Sequence, residues 1–372
     1  MKYRYTFAVR WGCFLLICLI NLAIGAEGDA QPNDVQIIPL PDLLEPIAIE
    51  VTETSIYIPE KSVISVYSRR DFHLEQRFGK QGEGPGEFRY PPYVTAYPGF
   101  LLINNSSKLM FYSRQGEFIK EVKLPFSYNY WAWPLLVAGE NYVGIPLEIT
   151  EKREILHVCR IYDAAFEPIK VLADRIVPSI PPPPPVPRPG ARSVRIPKQD
   201  YQAAPDCISC FVIGETIYLA DTRQGFHIGV LDQKGKPLHI IDKPHKSRKV
   251  SSRYKRAFME KLESLPQWDR MKDIFNVRFK EIFPAFFSIK SDGERIYVVT
   301  YAEKESRYEI ITMDLKGHEL SRSFSFPIKP FARVFSDFPA IDNAYDIHVG
   351  KLYYLTYDDP TDVYQLNIMD FE

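Results

Sequence analysis

Apolar residues in this chain come in short runs, four to six long, separated by polar turns that often carry glycine, and one phrase recurs. It is an apolar strand, a Tyr or Asp, a short polar turn, then another strand. The copies are VYSRRDFHLEQRF from Val66, FYSRQGEFIKEVKL from Phe111, IYDAAFEPIKVL from Ile161, VLDQKGKPLHII from Val230 and TMDLKGHELSRSF from Thr312. LNIMDFE from Leu366 is a sixth copy that stops at its turn. Upstream of each lies a turn followed by an apolar strand: ETSIYIPE, YPGFLLINN, GENYVGIPL, GETIYLAD, DGERIYVVTY and VGKLYYLTY. Each unit therefore reads strand, turn, strand, loop, strand, turn, strand, with little helix, which predicts an all-β fold.

A small sheet alone leaves its edges and an apolar face in water, and radial stacking of six such units buries those faces. The pattern predicts a six-bladed β-propeller with four-stranded blades. The spacings from Tyr67 through Tyr112, Tyr162, Leu231 and Met313 to Met369 are 45, 50, 69, 82 and 56 residues. The short ones fit one blade each, and the long ones contain insertions. The sixth copy lacks an outer strand, and VQIIPL, Val35 to Leu40, is a spare strand able to pair beside LNIMDFE and close the ring.

The interruptions are of two kinds. Residues 178–197 are proline-rich, eight of the twelve from Pro178 to Pro189 being proline, so this stretch is expected to be a stiff, extended surface loop. Residues 243–284, between blades four and five, open with seven Lys or Arg and no acid from Lys243 to Arg256. Ala257, Phe258, Lys261, Leu262 and Leu265 then predict an amphipathic helix. Trp268, Met271, Ile274, Phe275 and Phe279 suggest a second helix after Pro266.

Residues 1–26 follow another plan. Lys2, Arg4 and Arg10 precede the apolar run WGCFLLICLINL, and small residues follow from Ala23 to Ala26. This is the design of a secretory signal peptide, with cleavage expected after Gly25 or Ala26. The run is short of the roughly 20 residues a bilayer span needs. Residues 27–372 are then an exported single domain, periplasmic or extracellular and not integral to the membrane. The net charge is −1, and removal of the leader's three cations takes it to −4, so no global field attracts nucleic acid.

Arg77 to Phe88, RFGKQGEGPGEF, lies between blades one and two. It resembles the glycine-rich linker of NHL-type repeats, and the mature chain resembles bacterial six-bladed propellers that carry one such linker after blade one. The resemblance implies a fold and no activity. The same glycines do not form a phosphate cradle, because no G-K-[ST] and no following helix accompany them.

Propeller function gathers at rim loops and the central channel. Candidate ligand-binding residues from the blade starts are Arg89, Tyr93, Asn129, Trp131, Trp133, Asp206 and Asp346; the run YNYWAW supplies three of them and offers large aromatic contact area. No catalytic or metal-ligating set is assigned and no cofactor is expected. The fitting function is a non-catalytic binding or scaffold propeller for a protein, peptide or saccharide. One alternative is a hydrolase or lyase in the channel using Ca²⁺, or Zn²⁺ on His227 and His348. Another is a surface-assembly module that exposes an apolar patch on Ala257 to Phe279. Cys207 and Cys210 form a C-x-x-C, whose three-residue step along a strand points to opposite faces and disfavours a pair between them unless Cys207 precedes the strand. With Cys159 they leave structural thiols, a disulfide, or a metal or redox role as readings.

Export carries a direct expectation. N-terminal sequencing of the protein from the extracytoplasmic fraction should begin at Ala26 or Glu27, and a full-length chain confined to the cytoplasm would contradict it.

Overall fold

Each unit of the repeat folds as an antiparallel sheet because its alternating side chains find an apolar neighbour on both faces. The structure, a computed structural model, describes residues 35–105, 107–125, 133–149, 155–177, 198–264, 268–272, 275–328 and 344–372. Strand β1 is Val35–Leu40. Blade one follows as β2 (Glu50–Val51), β3 (Ser55–Pro59), β4 (Ile64–Ser68) and β5 (Leu74–Phe78). Blade two is β6 (Tyr93–Ala96), β7 (Leu101–Asn105), β8 (Lys108–Tyr112) and β9 (Phe118–Lys123). Blade three comprises β10 (Trp133–Ala138), β11 (Asn141–Ile145), β12 (Leu147–Ile149), β13 (Ile155–Tyr162) and β14 (Pro168–Val177). Here β11 and β12 both pair with β13, as two halves of one strand position.

A short strand, β15 (Gln199–Ala203), precedes blade four, which is β16 (Ile208–Ile213), β17 (Thr216–Asp221), β18 (His227–Leu231) and β19 (Pro237–Asp242). The second insertion holds helix α1 (Ser252–Glu263), the single-turn α2 (Trp268–Met271) and β20 (Phe275–Phe279). Blade five is β21 (Ser288–Ser291), β22 (Arg295–Lys304), β23 (Arg307–Asp314) and β24 (Glu319–Phe326). Blade six has β25 (Tyr345–His348), β26 (Lys351–Asp358) and β27 (Val363–Asp370), and its fourth strand is β1, in the order β1-β27-β26-β25. The front of the chain thus completes the last blade. The contacts β2 to β6, β10 to β16, β16 to β21, β21 to β25 and β25 to β2 carry the inner edges round a ring, with β10 against β7 between blades two and three.

Apolar clusters fill the wedges between blades. One joins Leu40 and Ile49 at the front of the chain to Leu355, Leu366 and Ile368 at its back. Another packs Tyr57 and Ile64 of blade one against Leu101, Ile103 and Met110 of blade two. Phe88, at the end of the glycine-rich linker, is fully buried in that cluster and Phe78 packs against it. Gly79 takes φ +84° there, and a Cβ at that position would lie 2.2 Å from the Phe88 ring, so the linker's turn requires glycine.

The two insertions are not independent. β15, which follows the proline-rich stretch, pairs in parallel with β20, Gln199 opposite Phe275 through Ala203 opposite Phe279. Helix α1 starts at the N-cap Ser251, whose Oγ accepts from Tyr254 N at 3.1 Å. It buries Tyr254, Phe258 and Leu262, one face at i, i+4 and i+8. These pack with Phe283 and Tyr301 of the blade four–five side, where Phe283 stacks on Tyr301 at 4.3 Å. The buried face of α1 differs from the exposed apolar patch that a surface-assembly module would present.

The second helix expected over Trp268 to Phe279 is corrected to one turn followed by a strand. Phe275, Val277 and Phe279 alternate with Asn276 and Arg278, and β15 satisfies the backbone of this period-two segment. No helix among the described residues is long and apolar enough to cross a membrane.

Closure by β1 sets a test. Leu40 is 1% exposed and Ile37 is 55% exposed. Leu40→Ala should cost about 2–5 kcal/mol in urea unfolding, whereas Ile37→Ala should stay within about 0.5 kcal/mol. Equal small effects would mean that β1 contributes nothing to closure.

Candidate functional site

At the inner ring, acidic and amide side chains read the backbone of the next blade. Asp346 of β25 accepts from Val51 N through Oδ2 at 2.8 Å, and its Oδ1 lies 3.4 Å from Lys290 Nζ of blade five. Glu50 of β2 accepts from Ala96 N through Oε1 at 2.9 Å. Asn104 accepts from Leu135 N at 3.0 Å and donates to Leu135 O at 3.2 Å. Tyr97 Oη accepts from Val137 N at 2.7 Å. Blades six, one, two and three are linked in sequence by these bonds, each satisfying an amide that the inner edge of a sheet would leave bare.

Burial, and then the neighbouring Asp346, push the Glu50 carboxyl up to about 8, against the Ala96 amide and the Lys290 and Arg114 charges that lower it. Burial opposes the Lys290 charge, yet Asp346, Tyr345 and Glu50 outweigh it and raise the ammonium's pKa. Half-buried Glu50 and Lys290 and buried Asp346 form a charge cluster shared by three blades. Its carboxylates each have an oxygen committed to a main-chain amide, which suits fastening and leaves little freedom for proton transfer to a substrate.

A second place carries polar groups with room beside them. A cleft of about 410 Å³ opens where the second insertion meets blade four. Asp206, Thr222, Arg223, His245, Ser247 and Lys280 supply its polar lining, and Ile282 to Ala285 its apolar wall. The insertion is held there by Val250 N donating to Glu281 O and Phe283 N to Arg248 O, both at 2.9 Å.

The cleft's cations are already matched, and the exposed Glu281 adds an acidic group to its lining. Lys280 Nζ pairs with Asp206 Oδ2. Arg223 grips Asp221 with Nε to Oδ1 at 2.9 Å and Nη2 to Oδ2 at 2.6 Å. Burial opposes the Asp221 charge, but the Arg223 bonds hold its carboxyl below the usual carboxylate range. Thr222 Oγ1 accepts from Cys207 N at 2.9 Å. His245 differs: its Nε2 is buried without a hydrogen-bond partner. Burial, partly offset by Glu309, lowers the His245 pKa and favours the neutral ring. The exposed Ser247 and the apolar wall beside His245 form a surface for an uncharged hydrogen-bonding group with an apolar neighbour.

The candidates read from the sequence fall in different places. Asp346 is an inner-ring clamp, and Asp206 lines the cleft. Arg89 is 60% exposed, 3.2 Å from Glu83 and over the Tyr90 ring at 5.4 Å, so it lies on the linker surface. Tyr93 opens β6 opposite Asn104, and Trp133 opens β10. Asn129 and Trp131 lie outside the described residues. His227 sits on blade four, 2.7 Å from Asp242, and His348 on blade six; among the described residues no three of His, Cys, Asp and Glu gather to hold a metal ion.

Glu50, Lys290, Lys280 and His245 escaped the sequence reading. Glu50 had a signal, a lone acid in the apolar stretch IAIEV. His245 and Lys280 had none, because the cleft forms only when the two ends of the insertion return to one place.

No protein-family model matches the chain, and no curated protein does either. Among solved structures it is similar to the WD40 domain of Neurospora crassa Pan2, at 8% identity over 91% of this chain and 95% of that one, with a TM-score of 0.38. Kluyveromyces lactis Hsv2 is also similar, at 11% identity over 88% and 98%, with a TM-score of 0.36. The propeller assignment rests on the sheet order and its ring of inner strands.

The Glu50 site generates a pH prediction. The unfolded carboxyl titrates near 4.5 and the folded one at about 8. Between those values the fold retains a proton that the unfolded chain has released, so stability falls as pH rises from about 4.5 towards 8. Glu50→Gln keeps the acceptor and removes the charge. The variant should match the wild type near pH 4.5 and exceed it at pH 8 by on the order of 1–3 kcal/mol. Parallel pH profiles in denaturant unfolding would show that Glu50 does not titrate in this way.

Proposed function

We propose that this protein is an exported, non-catalytic binding propeller and that the cleft beside blade four receives an extended peptide segment of a partner protein. The observation that carries the reading is the buried, unpartnered Nε2 of His245, a residue lining a cleft whose two cations are paired. A buried polar atom without a partner is unfavourable by about 1–3 kcal/mol, and a ligand supplying that partner removes the penalty. A peptide amide or carbonyl provides it, and a side chain beside the amide covers Ile282, which is 46% exposed. The binding role is supported by the inner-ring carboxylates, which fasten blades. Export rests on the charged and apolar pattern of residues 1–26, and kinship with bacterial propellers of the NHL type rests on RFGKQGEGPGEF.

A panel of short uncharged peptides, with oligosaccharides of similar size as comparison, tests the reading by thermal shift and calorimetry. A peptide is expected to raise Tm in a dose-dependent way, and His245→Ala should weaken its binding about tenfold or more. Binding of oligosaccharides alone, affinity unchanged in His245→Ala, or turnover of a panel member would each overturn the proposal.

A further inference from the structure

Cys159 and Cys210 stand on neighbouring blades but in one interface. Cys159 is on β13 of blade three and Cys210 on β16 of blade four, and both belong to the cluster containing Ile161, Ile208 and Ile217. They are 0% and 6% exposed. The two strands come within 8 Å between Cα atoms. Cys207 faces elsewhere. It precedes β16 and packs against the cluster between blades four and five. The three-residue step of the C-x-x-C therefore sends its sulfurs into different wedges, and the neighbour of Cys210 is the cysteine 51 positions earlier.

We propose that Cys159 and Cys210 are a disulfide-forming pair that staples blade three to blade four, with Cys207 outside it. All three are free thiols in the structure, so the pair is present in its reduced form. A disulfide spans Cα separations of about 4.4–6.8 Å, and the two strands that carry the thiols pack in one interface. The oxidant is a low-molecular-weight disulfide. One protein thiolate attacks it to give a mixed disulfide and releases one thiol. The second protein thiolate then attacks the protein sulfur of that mixed disulfide and releases the other. Two protein thiols lose two hydrogens and two electrons, and the oxidant becomes two thiols.

The step belongs to the folding chain. In the finished fold both sulfurs are enclosed, and the Cys210 contact and burial hold the Cys159 thiol up, so thiolate is scarce. Closure would enclose a loop of about 50 residues that contains the proline-rich stretch 178–197, and a loop of that size removes substantial freedom from the unfolded chain.

The full chain is unfolded, reduced and refolded with glutathione disulfide, and peptide mapping then reads each cysteine separately. The expected result is a Cys159–Cys210 link with Cys207 alkylatable, and a Tm about 5 °C above that of the reduced protein. Cys207→Ser should leave the link intact, and Cys159→Ala should abolish it and the Tm increment together. Protein folded first and then given the oxidant should link far more slowly. A bridge that uses Cys207, or Cys159 and Cys210 both alkylatable after oxidative refolding, would overturn the proposal.

Discussion

The structure depends on one pairing, that of the first described strand with the last. Blade six has only three strands of its own, and without a fourth β27 would present a bare edge and half of an apolar wedge to water. VQIIPL supplies that edge, and Leu40 and Leu43 fill the wedge beside Leu355 and Leu366. The two partners are separated by more than 300 residues, so their pairing closes the longest loop in the ring. The other blade contacts are local by comparison, between units adjacent in the chain. Closure thus converts a row of marginal sheets into a ring in which every wedge has two walls.

The ring explains where the charges go. The inner edges meet along the axis, where their outward amides lack a ladder partner. Asp346, Glu50, Asn104 and Tyr97 answer those amides from the preceding blade. A carboxylate used this way is strongly held only while a countercharge offsets its desolvation, and Lys290 does so for Asp346. Glu50 shares the same lysine at greater disadvantage, and its proton is retained towards pH 8. An acid at a propeller axis can therefore be a fastener whose altered ionisation records crowding among blades.

The repeat was legible because each strand signals itself locally, through period-two alternation and turns such as RQGE and QKGK. The ring followed from the exposed faces those strands would otherwise leave, and the closing strand from a missing partner. Contacts between distant short segments were not legible. Gln199–Ala203 and Phe275–Phe279 are five residues each, and their parallel pairing depends on both insertions folding back to one place. Phe275 and Phe279, spaced four apart, satisfy a helical period as well as a strand's, and only the partner strand decides between them. Asp206 was found as a polar residue at a blade start, but its cleft comes from Lys280 and His245, which arrive from the two ends of the second insertion. The three-residue step of C-x-x-C was legible as sending its sulfurs to opposite faces, and they enter separate wedges.

The cleft's charge pairing also decides what kind of ligand fits. An incoming anion would meet Lys280 and Arg223, but each is already neutralised by a carboxylate within hydrogen-bonding distance. Capturing either cation would strand Asp206 or Asp221, and an uncompensated carboxylate in a half-buried site is more unfavourable than the new pair is favourable. An uncharged group breaks neither pair. It finds the ring nitrogen of His245 and lays its apolar part against Ile282 and Pro284. One wall is also anchored, because Phe283 stacks on Tyr301 and packs edge-on against Tyr254. A site with paired cations and an anchored apolar wall discriminates mainly by shape and hydrogen bonding.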